Sequence, residues 1–452
     1  MNVIGLDIGT TGLCALVIDS ESGKILKKLT APNDTKLVSE KSFERIQDPD
    51  QILEKCKLLV DELYQAHRPI AAIGVTGQMH GILYIDRQGR ALSPLYTWQD
   101  ESGNEPFNAK QSYAQYLSEA SGYKMAAGFG ATTYFYHKSR GLVPKGSQKI
   151  CTVHDYVAMK LCGKTQPLMH TSDAASLGLF DLDKLEFDKT AIELTGLDFS
   201  LFPQVSSKFE ILGYYKNEIP VSIAIGDNQA SYIGSVKDLE NSLLVNVGTG
   251  SQISFLAPDT QVAKGLEIRP LYEDRFLCVG SALCGGRAFA LLEHFFCQTV
   301  ELIVGKSPDQ GAYPAMYDFL DSSIQDQDPL KVSTLFSGTR DNPSQRGSIE
   351  NIGTENFTPG NLIWGFLDAI AQELFEMYHS SGIDGKEKLI GSGGGLRKNK
   401  VLCGIFEDKF GLNLTIPKHE EEAAFGAALF ALIAGGIKEN LSQAGRLIAY
   451  LD

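Results

Sequence analysis

The sequence predicts an α/β chain made of two similarly built domains, and three observations carry that reading. First, β-rich runs ending in glycine and polar residues recur along the chain, among them Val3-Ile4-Gly5-Leu6, Ala72-Ile73-Gly74-Val75-Thr76-Gly77 and Val221-Ser222-Ile223-Ala224-Ile225-Gly226-Asp227. Second, helical patterns separate these runs. Third, the strand–turn–strand unit at the N-terminus has an echo half a chain away.

Taken in order, Val3 to Leu6 and Leu13 to Ile18 read as a hairpin joined through Gly9-Thr10-Thr11-Gly12, with Asp7 near the end of its first strand. Over Pro49 to Ala66, apolar Ile52, Cys56, Leu59, Val60 and Leu63 recur at helical spacing. The run from Val221 leads into a helix expected over Gln229 to Val236. The echo is Leu243 to Phe255, with Gly248-Thr249-Gly250-Ser251 at its turn. Aligning Gly9 with Gly248 gives 248 − 9 = 239, and the same offset places Asn246 on Asp7 and Thr249 on Thr10. So short a match also arises by chance, since glycine turns between apolar strands are common. The polar stretch Ser235 to Asn241 marks the expected boundary, giving domains over 1–236 and 237–452.

Composition excludes several functions. The 452 residues carry 41 Lys+Arg against 55 Asp+Glu, so 41 − 55 = −14. A chain this acidic has no basic field for a phosphate backbone, and no nucleic-acid partner is expected. The eight cysteines are scattered among apolar neighbours with no zinc spacing, and HExxH is absent. No basic segment precedes an apolar one at the N-terminus, so no signal peptide is expected. The longest apolar run, Ala423 to Gly436, falls short of the ~18 residues of a membrane span. A cytoplasmic protein without a membrane partner is the expectation.

Neither familiar phosphate loop is present. Gly163-Lys164-Thr165 would end a P-loop, but Ala158 stands where that motif requires glycine. Gly391-Ser392-Gly393-Gly394-Gly395-Leu396 lacks the last glycine of a dinucleotide fingerprint. The two hairpin turns offer another cradle, because small residues let backbone N–H groups approach an anion. A plain hairpin accounts for either turn taken singly. Their pairing, with Asp7 placed to hold a Mg²⁺ that shares phosphate oxygens, favours phosphate binding. Asp227, at a strand end before a helix, reads either as a helix cap or as a general base. Gln78-Met79-His80-Gly81 and Trp98-Gln99-Asp100 also put polar groups at strand ends.

These motifs, in this order, resemble the FGGY family of carbohydrate kinases over essentially the whole chain. The resemblance rests on Leu6-Asp7-Ile8-Gly9-Thr10-Thr11, Gly77 to Gly81, Trp98-Gln99-Asp100, Gly226-Asp227-Asn228, Gly248 to Ser251, Gly391 to Gly395 and the Glu-rich start of Glu420 to Ala434. It implies the actin/hexokinase/Hsp70-like ATPase fold: duplicated ribonuclease H-like domains, each with a five-stranded sheet, and an active site in the cleft between them. It further implies ATP and Mg²⁺ as cofactors and a small-molecule sugar as substrate.

By the same resemblance, Asp227 is the base that takes the proton of the attacking hydroxyl, and Asp7 organises Mg²⁺. Thr10, Thr11, Gly248, Thr249 and Gly250 hold the phosphates. Gly394, Gly285 and Asn399 approach the adenosine. Gln78, Met79, His80, Trp98, Asp100 and Asn228 line the sugar site. No catalytic role falls to Glu420, Glu421 or Glu422, since acids stabilise a helix N-terminus. The small residues Ala423 to Ala428 imply close packing of that helix on a neighbour.

His154-Asp155-Tyr156-Val157, Leu161-Cys162-Gly163 and Ala174-Ala175-Ser176-Leu177-Gly178 resemble the branch of the family that phosphorylates the seven-carbon ketose sedoheptulose. A pentulose kinase, xylulokinase above all, is the alternative, and Gln99 departs from the Asn usual there. A sugar sensor without transferase activity is the alternative from another class. Family members are often homodimers, although no exposed apolar stripe is read from the sequence.

Overall fold

The computed structural model describes residues 1–261, 263, 265–323, 328–339, 342 and 344–451. The first half opens with strands β1 (Asn2–Ile8), β2 (Gly12–Asp19) and β3 (Ile25–Pro32), then helix α1 (Pro49–Ala66) and strand β4 (Ile70–Gly77). Helices α2 (Val153–Leu161) and α3 (Thr171–Leu177) follow, then strands β5 (Ile211–Tyr215), β6 (Ile219–Ser222) and β7 (Ile225–Gly226), and helix α4 (Asp227–Ser235). The second half begins with β8 (Ser242–Val247), β9 (Ser251–Ala257), β10 (Leu266–Tyr272) and β11 (Arg275–Ala282). It continues through α5 (Gly286–Val304), α6 (Pro359–Ser380), β12 (Lys388–Ser392), α7 (Gly394–Lys398), α8 (Lys400–Phe410), β13 (Leu414–Thr415) and α9 (Glu422–Ala434).

The two halves repeat one sheet topology. The first sheet runs β5–β6–β4–β1–β2–β3, with β7 also paired to β4, and the second runs β10–β11–β9–β8–β12–β13. In each, the opening hairpin is antiparallel and its first strand pairs in parallel with a later strand: β1 with β4, β8 with β12. Asp7 lies opposite Cys14 and Thr76, and Asn246 lies opposite Gln252 and Ser392. The offset of 239 read from the sequence therefore joins topologically equivalent positions. The sheets exceed the expected five strands, with seven and six, because extra strands are added beside the shared core.

Near-continuous apolar runs make β1 and β2 because both faces of this sheet are covered. Ile4, Leu6, Ile8, Ala15 and Val17 pack with Ile52, Cys56 and Val60 of α1. Val3, Cys14, Leu16 and Ile18 face the opposite way, into a cluster with Ala424, Phe425 and Ala428 of α9. That cluster also takes Leu244, Leu277 and Ile390 of the second sheet, so α4 and α9 form a layer between the sheets. Helix α9 belongs to the second half in sequence but lies directly on the first sheet. Its approach requires glycine: a Cβ on Gly5 would stand 1.9 Å from the Ala424 carbonyl oxygen, and one on Gly426 1.8 Å from that of Ala230.

Helix α1 starts where Asp48 accepts from the Asp50 and Gln51 N–H groups ahead of Pro49. The run from Val221 is not one strand: it breaks between β6 and β7, both of which pair with β4. No helix among the described residues is long and apolar enough to cross a membrane.

Candidate active site

The β1–β2 turn is held from outside by side-chain amides. Asn33 Nδ2 donates to the Gly9 carbonyl (2.8 Å) and Gln47 Nε2 to the Thr10 carbonyl (2.9 Å). Thr10 Oγ1 donates to Gln78 Oε1 (3.1 Å) and accepts from Trp98 Nε1 (2.9 Å), while Gln78 Nε2 donates to Gln47 Oε1 (2.9 Å). This network consumes carbonyls and side chains, leaving the N–H groups of Thr10 and Thr11 without a protein acceptor among the described residues. Such paired amides suit an anion.

Asp7 sits at the mouth of this turn, and its Oδ1 is buried without a hydrogen-bond partner. Burial first, then the carboxylates of Asp227 and Glu421, push its pKa up to about 8. A carboxylate in this setting has a proton to exchange for a cation, and the residue fits the divalent ion that the resemblance implies.

Asp227 is the first residue of α4, where Gly226 occupies the capping position and no side chain caps the helix. The cap reading of Asp227 is thereby set aside. Burial raises its pKa, opposed by His154 and Arg269. Its backbone is fixed from two sides: the Gly226 N–H donates to Ser172 Oγ (3.1 Å) and Thr76 Oγ1 to the Ile225 carbonyl (2.7 Å). Behind it, wholly buried His154 places Nε2 2.8 Å from Asp173 Oδ1. With Asp155 these two form the one His/Asp group among the described residues compact enough to share a cation. Apart from that contact, both His154 ring nitrogens and both Asp173 oxygens are buried without a hydrogen-bond partner among the described residues.

The second turn is anchored by a helix start. The N–H groups of Gly285 and Arg287 donate to the Thr249 carbonyl (3.1 and 3.0 Å) and that of Gly286 to the Gly248 carbonyl (2.8 Å). Gly285 thus backs the turn, and a Cβ there would stand 2.5 Å from the Gly250 carbonyl. Asn246 Nδ2 donates to Ser392 Oγ (2.7 Å), tying this turn to the glycine-rich segment after β12.

Beside that segment lies a largely apolar cavity of about 420 Å³, with Phe289, Tyr313, Tyr317, Gly394, Gly395 and Asn399 in its wall. A Cβ on Gly394 would meet nothing within 4 Å, so the wall is open at this position. Asn399 also caps α8, its Oδ1 accepting from the Leu402 N–H (3.0 Å). The three aromatic residues escaped the sequence reading, because isolated aromatics carry no motif.

The sugar-side residues converge less uniformly. Met79 packs its sulfur where a Cβ on Gly226 would be, 2.7 Å away. His80 holds a left-handed backbone (φ 71°), donates its N–H to Ser176 Oγ (3.1 Å) and sets Nδ1 2.7 Å from the Ser176 carbonyl. It stacks on Phe129. A non-glycine residue held in this region carries strain of about 1–3 kcal/mol, which points to a functional position. Gln78 is buried in the turn network, and half-exposed Trp98 is tied to Thr10. Asp100 is 1% exposed and accepts from the Ser102 and Arg45 N–H groups (3.0 and 3.3 Å), so its carboxylate shapes the loop from within. Asn228 Oδ1 accepts from Arg269 Nη1 (3.3 Å).

Duplicated sheets with matching turns, an acid beside one turn and a second acid opening a helix define a two-domain phosphotransferase. The family is shown by comparison. Residues 2–234 match the N-terminal domain of the FGGY family of carbohydrate kinases and residues 243–435 its C-terminal domain. The chain belongs to this family and is a sugar phosphotransferase.

Sedoheptulokinase from Mus musculus is 27% identical over 97% of this chain and 98% of its own length. The gluconate kinase of Lactobacillus acidophilus superposes with a TM-score of 0.84 at 18% identity, covering 100% of this chain and 92% of that one. The xylulose kinase of Rhodospirillum rubrum superposes at 0.83 with 20% identity, covering 100% and 93%. FGGY kinases are ATP-dependent and generally need a divalent metal.

Proposed function

We propose that the protein transfers the γ-phosphoryl group of Mg²⁺-ATP to the terminal hydroxyl of a ketose, sedoheptulose, yielding sedoheptulose 7-phosphate. The observation that carries the chemistry is Asp227, freed from capping at the start of α4, with the unpartnered Oδ1 of Asp7 close enough for the two charges to interact. The near full-length similarity to sedoheptulokinase supports the acceptor.

In this reading Asp227 accepts the hydroxyl proton as the oxygen attacks phosphorus. Asp7 holds the Mg²⁺, which neutralises phosphate charge when bound. The N–H groups of the first turn, with Thr249 and Gly250 of the second, receive the phosphate oxygens as preorganised donors. Adenine occupies the cavity against Gly394, between the aromatic wall and Asn399. Met79, His80, Trp98 and Asn228 present the acceptor, while Gln78 and Asp100 hold the loops that shape its pocket. Domains over 1–236 and 237–452 close on both substrates.

A homodimer in the cytoplasm completes the proposal. It is supported by a face of α5 on which Leu291, Phe295 and Leu302 are 46%, 52% and 86% exposed, a stripe not read from the sequence. All eight cysteines are free thiols. Light scattering should give twice the 49.3 kDa chain mass.

The direct test is ³¹P NMR of the product formed from sedoheptulose and Mg²⁺-ATP. A phosphomonoester on the terminal carbon is expected. Phosphate at another carbon would overturn the acceptor geometry. Tight binding of both substrates without transfer would favour the sensor reading.

A further inference from the structure

Strand β10 belongs to the second domain yet packs against α3 of the first, next to Asp227 and Asn228. Its placement is fixed by Gln229 Nε2, which donates to the Pro270 carbonyl (2.9 Å). The preceding residue, Arg269, sends its side chain to the sugar-side residues. Nη1 reaches Asn228 Oδ1 (3.3 Å), while Nε and Nη2 donate to Glu267 Oε2 (3.2 and 2.7 Å). The side chain is only 13% exposed, too enclosed for a routine surface ion pair.

A guanidinium has five N–H groups in a rigid fork. Three are used here, and the other two, one on each Nη, have no protein acceptor among the described residues. The Glu267 carboxylate holds the fork in place from one side. Two donors fixed side by side on one guanidinium match the oxygen of a sugar hydroxyl, which accepts hydrogen bonds. Arg269 touches Asn228 and lies close enough to Asp227 for the two charges to interact, so a hydroxyl that it reaches is near the one that reacts.

We infer that Arg269, carried over from the second domain and oriented by Glu267, is a specificity residue that recognises the acceptor hydroxyl on the carbon adjacent to the phosphorylated one. The inference rests on the ketose kinase reading above. It gives the second domain a direct part in acceptor selection, so the sugar site is complete only when both domains are in place. A hydroxyl bound by buried polar groups is discriminated strongly, because its absence leaves them unpaired.

The test is a cycle of two enzymes and two acceptors. Wild type and Arg269→Met are assayed with the best acceptor of a sugar panel and with its analogue lacking the hydroxyl beside the reacting carbon. For wild type, removing that hydroxyl should cost roughly 10²-fold in kcat/KM. Arg269→Met should lose roughly tenfold to a hundredfold on the full acceptor, mainly through KM, with KM for Mg²⁺-ATP within about twofold of wild type. On the analogue the variant should lose clearly less, keeping only the part that follows from removing a positive charge near Asp227. Arg269→Lys, which keeps the charge but loses the fork, should recover only part of the loss.

Equal losses on both acceptors, or a parallel rise in KM for Mg²⁺-ATP, would overturn the inference. Because the cycle uses whichever sugar the wild type phosphorylates fastest, a different best acceptor corrects the substrate alone. The coupling between Arg269 and the hydroxyl is judged separately.

Discussion

Asp227 and Asp7 are both carboxylates raised by burial, and they diverge in what surrounds them. Asp227 has His154 and Arg269 beside it to oppose that rise, with Arg269 the fixed cation, since burial pushes the His154 pKa down. Asp7 has only further carboxylates nearby, so it stays protonated up to about pH 8 until a cation replaces the proton. Asp227→Asn should fold normally, judged by circular dichroism and Tm, yet lose turnover by ~10²-fold or more. Near-normal turnover would remove Asp227 from its role. Asp7→Asn should impair the use of Mg²⁺-ATP, moving the Mg²⁺ titration of activity to higher concentration, and raise the Tm of the metal-free protein, because the buried acid is gone. An unchanged Mg²⁺ titration would count against Asp7 as the metal ligand.

At the scale of elements, α9 and the anchor of α3 carry the strongest consequences. An added Cβ on Gly426 would stand 1.8 Å from the Ala230 carbonyl oxygen of α4. Gly426→Ala should therefore destabilise by about 1–3 kcal/mol or more, read by urea unfolding. A neutral variant would show that the α4–α9 contact can relax.

His170 precedes α3, with Nδ1 accepting from the Ser172 N–H (3.2 Å), and Ser172 Oγ in turn accepts from Gly226. Burial pushes the His170 pKa down from 6.5 to about 3. Its folded pKa lies below its unfolded one, so the unfolded chain binds more protons as pH falls through 6.5, and native stability is lost. His170→Asn should be less stable than wild type at pH 8, and the gap should narrow from pH 6.5 towards pH 3. A gap constant with pH would refute the neutral buried histidine.

These elements also show what sequence can disclose. The paired hairpins, α1 and the packing of small residues in α9 were legible, because apolar period, glycine and capping residues act locally. Arg269, Gln47 and the aromatic wall of the cavity were not. Each acquires its role from a partner far along the chain, and no spacing signals that.

Across the whole molecule, one topology is used twice, and the apolar layer of α4 and α9 between the sheets ties the halves together. Position 7 and position 246 are equivalent in register but carry Asp and Asn. The first half therefore bears the acid, while Asn246 instead bonds Ser392 beside the apolar cavity. In the proposed function, divergence at such points gives the acceptor and metal to one half and the nucleotide to the other. The measurement that tests this account most directly is ADP release from Mg²⁺-ATP with sedoheptulose, D-xylulose, L-ribulose, D-ribulose and glycerol side by side. The account predicts a kcat/KM for sedoheptulose at least about tenfold above every other sugar, the margin that one well-placed polar contact provides. A higher value for a pentulose, or no release above background with any of them, would contradict it.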